Sequence, residues 1–323
     1  MAGKLELPLV DLSSPDSAAT ARTIRQACLD CGFFYLINHG VEKELLDRLF
    51  LESGRFFSLP LDEKMKLEHN SDHRGYSPMY AEKLDPSSGF QGDPKESFYI
   101  GPGAGSDSVI NINQWPTEET LPFWRDTMET YYGKVLAVGI RLISLIALAL
   151  NLDSQFFERI GALYPPMAFL RLLHYPGELI GSDNGNNAAS AHSDYGMVTL
   201  LATDGVPGLQ ICREKDTQPL LWEDVHHVDG AFIVNVGDML ERWTNCLFRS
   251  TLHRVLAVGQ ERYSVINNIH FSPSYFVAFF LDPNSDCLVE CLESCCSEKS
   301  PARFPPIRSG DYLQERLRVT YSK

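Results

Sequence analysis

His192 and Asp194 stand two residues apart in the stretch AHSDYG. In an extended segment, residues two apart project from the same face, so this imidazole and this carboxylate can reach a single ion. His253, in STLHRV, lies on a separate predicted strand. Two His and one carboxylate form the facial set that leaves open positions on a non-haem Fe(II). Arg262 and Ser264 follow His253 closely and repeat the two-residue spacing. A guanidinium offers a planar fork of donors matched to a carboxylate, and a neighbouring hydroxyl can add one more hydrogen bond. The pair therefore reads as an anchor for a small dicarboxylate beside the metal. The remaining histidines suit this chemistry less well. His226 and His227 are adjacent in an extended segment and point to opposite faces. His39 lies in a turn, His69 and His73 in a polar stretch, and His174 before Tyr-Pro.

The elements around these residues fall into two parts. In the first half LPLVDLSS and FFYLINHG read as strands. Between them Ser14-Pro15 signals a helix start and Gly32 its end. A second helix is expected over 41–58, with Leu45, Leu49 and Phe56 inward. Residues 69–116 are rich in Gly, Pro, Ser and Asp, and a long helix is expected over 120–150. There Tyr131, Val135, Val138, Leu142 and Leu145 recur at helical spacing. From residue 166 the period drops to two. FLRLLHY, GMVTLLAT, GLQI, LWEDV, AFIVNVGDML, STLHRVLA and RYSV read as short strands broken by turns. That spacing suits an antiparallel sandwich, jelly roll or barrel. The expected fold is mixed α/β with a β-dominated core. Residues 1–165 form a helical and mixed region packing on a core of residues 166–323, together one composite domain.

The chain has 323 residues, is 44% hydrophobic and 22% charged, and carries a formal net charge of −14. These values fit a globular protein with a substantial core, and the acidity argues against nucleic-acid and anionic-membrane partners. The opening MAGKLELPLVDLSS has no apolar targeting core, so a cytoplasmic location is expected. The apolar run 135–150 contains Arg141 and reads as a buried helix. The eight cysteines are expected to be free thiols, and Cys28-x-x-Cys31 lacks the second ligand pair of a zinc site.

In order and spacing, these motifs make the chain similar to the 2-oxoglutarate- and Fe(II)-dependent dioxygenases, in the plant-type subgroup that includes isopenicillin N synthase. The resemblance is carried by CGFFYLINHGV, RFFSLPLDEK, KESFYIG, AHSDYGMVTLLATD, GAFIVNVGDMLERWTN, STLHRVL and ERYS, among others. Within that subgroup the motifs are similar to those of hyoscyamine 6-dioxygenase-like plant proteins. The resemblance implies a double-stranded β-helix (jelly roll) flanked by helices, with His192, Asp194 and His253 as iron ligands. It implies Arg262 and Ser264 on the distal carboxylate of 2-oxoglutarate, with Tyr175 touching the same cosubstrate. Leu173 stands where many members have Asn. The implied reaction consumes O2 and 2-oxoglutarate, with ascorbate as reductant, and releases succinate and CO2 while a small molecule is hydroxylated or desaturated. Phe98, Phe232 and Phe280 are expected to line its pocket, and a monomer is expected.

One stretch departs from the pattern. Relatives read RYS straight into a segment like VAFFLDPN, whereas here VINNIHFSPSYF stands between. Removing residues 265–276 or 266–277 restores RYSVAFFLDPN. The intervening residues read as an insert that loops out of a strand, and His270 within them is a poor ligand candidate. The insert leaves open an inactive isoform or non-catalytic binding protein, and the resemblance to isopenicillin N synthase separately leaves open an iron oxidase of the same fold that does not use 2-oxoglutarate.

Overall fold

The computed structural model describes residues 5–70, 72–84, 92–103, 113–176, 187–215, 217–256 and 274–321. The first half supplies β1 (Leu9–Asp11), α1 (Ser17–Asp30), β2 (Phe33–Ile37), α2 (Lys43–Phe57), α3 (Leu61–Met65), β3 (Gly75–Ser77) and β4 (Glu96–Ile100). The long α4 (Trp124–Ala149) and the short α5 (Phe156–Arg159) complete it. Helix α1 starts at Ser17 rather than at the Ser14-Pro15 signal, because the Asp16 carboxylate accepts a hydrogen bond from the Ala19 amide. In α2 it is Leu46 rather than Leu45 that is buried beside Leu49 and Phe56. The apolar run lies within α4, whose residues Trp124, Met128, Tyr131, Val135, Val138, Leu142 and Ile146 are buried. By length and composition α4 could cross a membrane, but this stripe packs on α1, α2 and the sheet.

The second half runs β5 (Met167–Tyr175), β6 (Asn187–His192), β7 (Val198–Thr203), β8 (Leu209–Cys212), β9 (Glu223–Asp224) and β10 (Phe232–Val236). Then come α6 (Asp238–Trp243), β11 (Leu252–Leu256), β12 (Ser274–Asp282), β13 (Leu288–Val289), β14 (Ile307–Arg308) and α7 (Ser309–Tyr321). The stretch AFIVNVGDML is thus strand only as far as Val236, and its end begins α6. One sheet has the order β1-β2-β10-β7-β12-β5-β4-β3 and a second has β6-β11-β8-β9. From β5 to β12 the chain passes back and forth between the two, and every pairing except β1 with β2 is antiparallel.

The period-two alternation divides the core. Leu170, Leu172, Val277, Phe279 and Leu281 face the helices, in one hydrophobic cluster with α1, α2 and α4. Leu173, Tyr175, Phe276 and Ala278 face the other way and pack with Ala189, Ile211 and Val255 of the smaller sheet. The functional residues are found between the sheets, where each β12 side chain of even number points.

Strand β12 corrects one expectation. Ser274, Tyr275 and Phe276, read as part of a looped-out insert, are in register with Tyr175, His174 and Leu173. Phe276 is 2% exposed and its ring meets Tyr175 edge-on, while Tyr275 stacks on His174. Aromatic residues at these positions satisfy the ladder and bury area that a mid-strand bulge would expose.

Candidate metal centre and its two cavities

His192 closes β6, His253 lies in β11, and the antiparallel register sets them directly opposite one another. Their ring centroids are 4.3 Å apart. Asp194 follows in the loop after β6, with Oδ1 at 3.9 Å from His192 Nε2 and 3.6 Å from His253 Nε2. One ligand atom from each residue lies within 4.8 Å of the others, the single cluster of this kind among the described residues.

The atoms left over are all held by the protein. His192 Nδ1 is 2.7 Å from the Ser190 carbonyl and His253 Nδ1 is 3.2 Å from the Thr251 carbonyl. A carbonyl only accepts, so each Nδ1 donates to it and each Nε2 is left turned toward Asp194 Oδ1. Asp194 Oδ2 accepts from Thr199 Oγ1 at 2.5 Å and from Asn235 Nδ2 at 2.8 Å, which leaves Oδ1 facing the imidazoles. Burial, helped by His253, holds the His192 imidazole down to about 4, so it is neutral near pH 7. Burial alone would raise the Asp194 carboxyl, but the imidazoles and the two hydrogen bonds outweigh it and hold it below its ordinary value. Two imidazole nitrogens and one carboxylate oxygen, oriented by partners behind them, suit a divalent ion such as Fe(II).

The backbone of the Asp194 loop is fixed as firmly. The Asp238 amide, opening α6, donates to the Asp194 carbonyl at 2.8 Å, and the Met239 amide donates to the carbonyls of Tyr195 and Gly196. This contact needs Gly237, where a Cβ would run into the Gly196 carbonyl.

Two cavities meet at the cluster, sharing Leu84, Arg171, His192, Asp194 and Phe280. The inner one, about 60 Å³, lies between the sheets and is lined by His253, Tyr175, Leu173, Lys95, Thr199, Asn235 and Phe276 among others. The outer one, about 110 Å³, is lined by Leu84, Tyr99, Phe169, Tyr195, Asp282 and, from α7, Leu313 and Leu317. Charges in the shared wall are internally paired. Arg171 bonds Glu82 and reaches Ser97 Oγ at 3.1 Å, and Lys95 Nζ is 2.9 Å from Asp93 and 3.4 Å from Glu82. Asp93 in turn accepts from the Ser190 hydroxyl at 2.6 Å, two residues before His192. Burial opposes ionisation of Asp93, but Lys95 and Ser190 hold its carboxyl below the ordinary value.

Among the residues singled out in the sequence, the structure brings together His192, Asp194, His253, Tyr175 and Phe280. Arg262, Ser264 and His270 lie outside the described residues. Phe98 and Phe232 do not line either cavity. Phe98 is fully buried against Phe56 and Trp124, and Phe232 stacks on His39 at 4.1 Å between centroids. Both are core packing, because their strand faces turn toward the helices. Sequence reasoning missed Thr199, Asn235, Lys95, Arg171 and Asp282. A polar residue inside an apolar strand, as in MVTLLAT and FIVNVG, is the signal for the first two, since burial demands a partner.

Comparison with known proteins agrees with this geometry. The 2OG-Fe(II) oxygenase superfamily profile matches residues 166–270, and that of the N-terminal region of non-haem dioxygenases in morphine synthesis matches 7–118. The Kihadalactone A synthase LFS of Citrus sinensis is 41% identical over 97% of this chain and 91% of its own length. The chain belongs to the 2OG-Fe(II) oxygenase superfamily. As an oxygenase of this superfamily it uses Fe(II) and 2-oxoglutarate. Azadirone synthase LFS of Melia azedarach is 39% identical to this oxygenase over 98% of the chain and 93% of its own length. Among solved structures, a full-length Neurospora crassa protein in complex with alpha-KG and 5-formyluracil superposes with a TM-score of 0.82 at 29% identity, covering 98% of this oxygenase and 97% of the Neurospora chain.

Proposed function

We propose that this oxygenase hydroxylates or desaturates a small, largely apolar metabolite, with His192, Asp194 and His253 holding the iron and the strands β5 to β12 forming a jelly roll around it. The observation that carries the reading is the convergence of two Nε2 atoms and one carboxylate oxygen whose other atoms are already bonded. When bound, the iron supplies the O2 chemistry that couples decarboxylation of 2-oxoglutarate to oxidation of the substrate. The residues contribute orientation: Ser190 and Thr251 fix the imidazole tautomers, and Thr199 and Asn235 fix the carboxylate. The inner cavity, with Tyr175 in its wall, is read as the cosubstrate site and the outer cavity as the substrate site. Support for an apolar substrate comes from Phe169, Phe280, Leu313 and Leu317 in the outer wall, and from plant relatives named for making kihadalactone A and azadirone. The plant-type placement rests on the motifs that first suggested it. Purified protein given Fe(II), ascorbate and 2-oxoglutarate should release succinate, and His192→Ala should abolish the release. Equal release from both would overturn the reading.

The register of β12 favours a second reading, in which 2-oxoglutarate is held weakly. Ser274 and Phe276 fill the two ladder positions that face Tyr175 and Leu173. Deleting 265–276 would join Ser264 to Val277 and bring Arg262 and Ser264 to those same two positions by count. A clamp of guanidinium and hydroxyl would then replace a hydroxyl and a phenyl ring. Calorimetric titration of 2-oxoglutarate into the Mn(II)-loaded protein compares the two chains. Tighter binding by the deletion chain, by about tenfold or more, supports this second reading, and equal affinity removes it.

A further inference from the structure

The outer cavity contains one polar group that its neighbours leave unanswered. Asp282 ends β12, on the same face as Ala278 and Phe280, and is 6% exposed. Its Oδ1 is fully enclosed and has no hydrogen-bond partner among the described residues. The other carboxylates nearby are all partnered: Glu82 by Arg171 and Lys95, and Asp194 by Thr199 and Asn235. The Asp282 carboxyl lies over Gly196, where a Cβ would overlap it, so the loop that carries Asp194 is shaped to receive this group. An enclosed oxygen without a partner is costly, and with Oδ1 seated against Gly196 it is the other oxygen of this cavity-wall carboxyl that a ligand can reach. The rest of that wall is largely apolar, with Phe169, Phe280, Leu313 and Leu317.

We propose that Asp282 is the polar anchor for the organic substrate, accepting a hydrogen bond from a hydroxyl or amine on an otherwise apolar molecule. The proposal rests on reading the outer cavity as the substrate site of the oxygenase. Such a contact on a largely apolar wall fixes orientation more than affinity, and so selects which carbon faces the His192–Asp194–His253 cluster. Burial and the nearby charge of Asp194 push the Asp282 carboxyl up to about 7, consistent with a group that lacks a partner until a ligand arrives.

The test uses the full chain loaded with Fe(II) and 2-oxoglutarate without oxygen, loading being verified first by calorimetry. Benzyl alcohol, benzylamine and benzyl methyl ether are then titrated separately, since they share a ring and differ in the ability to donate. The wild type is expected to bind the alcohol and the amine about tenfold more tightly than the ether. Asp282→Ala should abolish both preferences. Asp282→Asn should keep the preference for the alcohol, because the amide oxygen still accepts, and lose that for the ammonium. A wild type that does not discriminate, or an Asp282→Ala protein that discriminates equally well, overturns the proposal. Failure of the initial loading counts instead against the oxygenase reading, and the wild-type comparison stands even where the alanine variant does not fold.

Discussion

Thr199 and Asn235 donate to the same oxygen of Asp194, and this leaves the other oxygen for an ion. Replacing Thr199 with Val keeps the shape and removes one donor, which frees the carboxylate to rotate. Fe(II) affinity is expected to fall about tenfold to a hundredfold, read by metal titration under anaerobic conditions. Asp282 gives a residue-scale prediction of opposite sign. Its folded-state value is raised from 3.8 to about 7, so between these limits the folded chain binds more protons than the unfolded one. Stability contributed by the neutral acid is therefore present at low pH and lost as pH rises through about 7. Asp282→Asn should raise the Tm of the metal-free protein by a few degrees at pH 8, with the gain shrinking toward pH 4. Thermal scans across that range check it, and a pH-independent difference would contradict the assignment. A functional group that destabilises its own fold is the expected trade at a binding site.

At the scale of elements, the decisive contact is the seating of α6 under the Asp194 loop. Gly237 is required there by close approach, since its φ of −101° is open to any residue. Gly237→Ala should push the loop away from the first turn of α6, lowering both the Tm and Fe(II) affinity, measured on the same sample. Helix α7 contributes differently, through Leu313 and Leu317, one helical turn apart on the cavity face. Shortening both to Ala should raise the KM for the organic substrate several-fold while succinate release without that substrate persists. Equal losses in both activities would place α7 outside the substrate wall.

For the molecule as a whole, the strands were legible because alternation and turn residues mark them locally, and the metal cluster because His192 and Asp194 are two apart. The wall of the outer cavity was legible only in part. Leu313 and Leu317 belong to a helix that sequence patterning did not single out, and Asp282 reads in LDPN as an ordinary turn starter. Phe98, Phe232 and Phe280 look alike in sequence, yet one lines the cavities and two do not. What separates them is which strand face meets the helices, a property of pairing between distant segments that local composition does not encode. The same holds for Ser274–Phe276, whose place in the ladder depends on β5 and β7.

The register that sets His192 opposite His253 has a consequence for handling the protein. Among the described residues, strand β6 is at the edge of its sheet with β11 as its single neighbour there, and an ion shared by the two histidines would act as a rivet at one end of that seam. Chelating the metal would leave β6 held by its ladder and by the Ser190 bonds to Asp93, with the rest of its backbone edge able to pair with another chain. Amide exchange over residues 187–192 should quicken on chelation more than exchange over β7, and light scattering on warming should begin earlier. Addition of Fe(II) should reverse both, making the catalytic ion also a guard against aggregation.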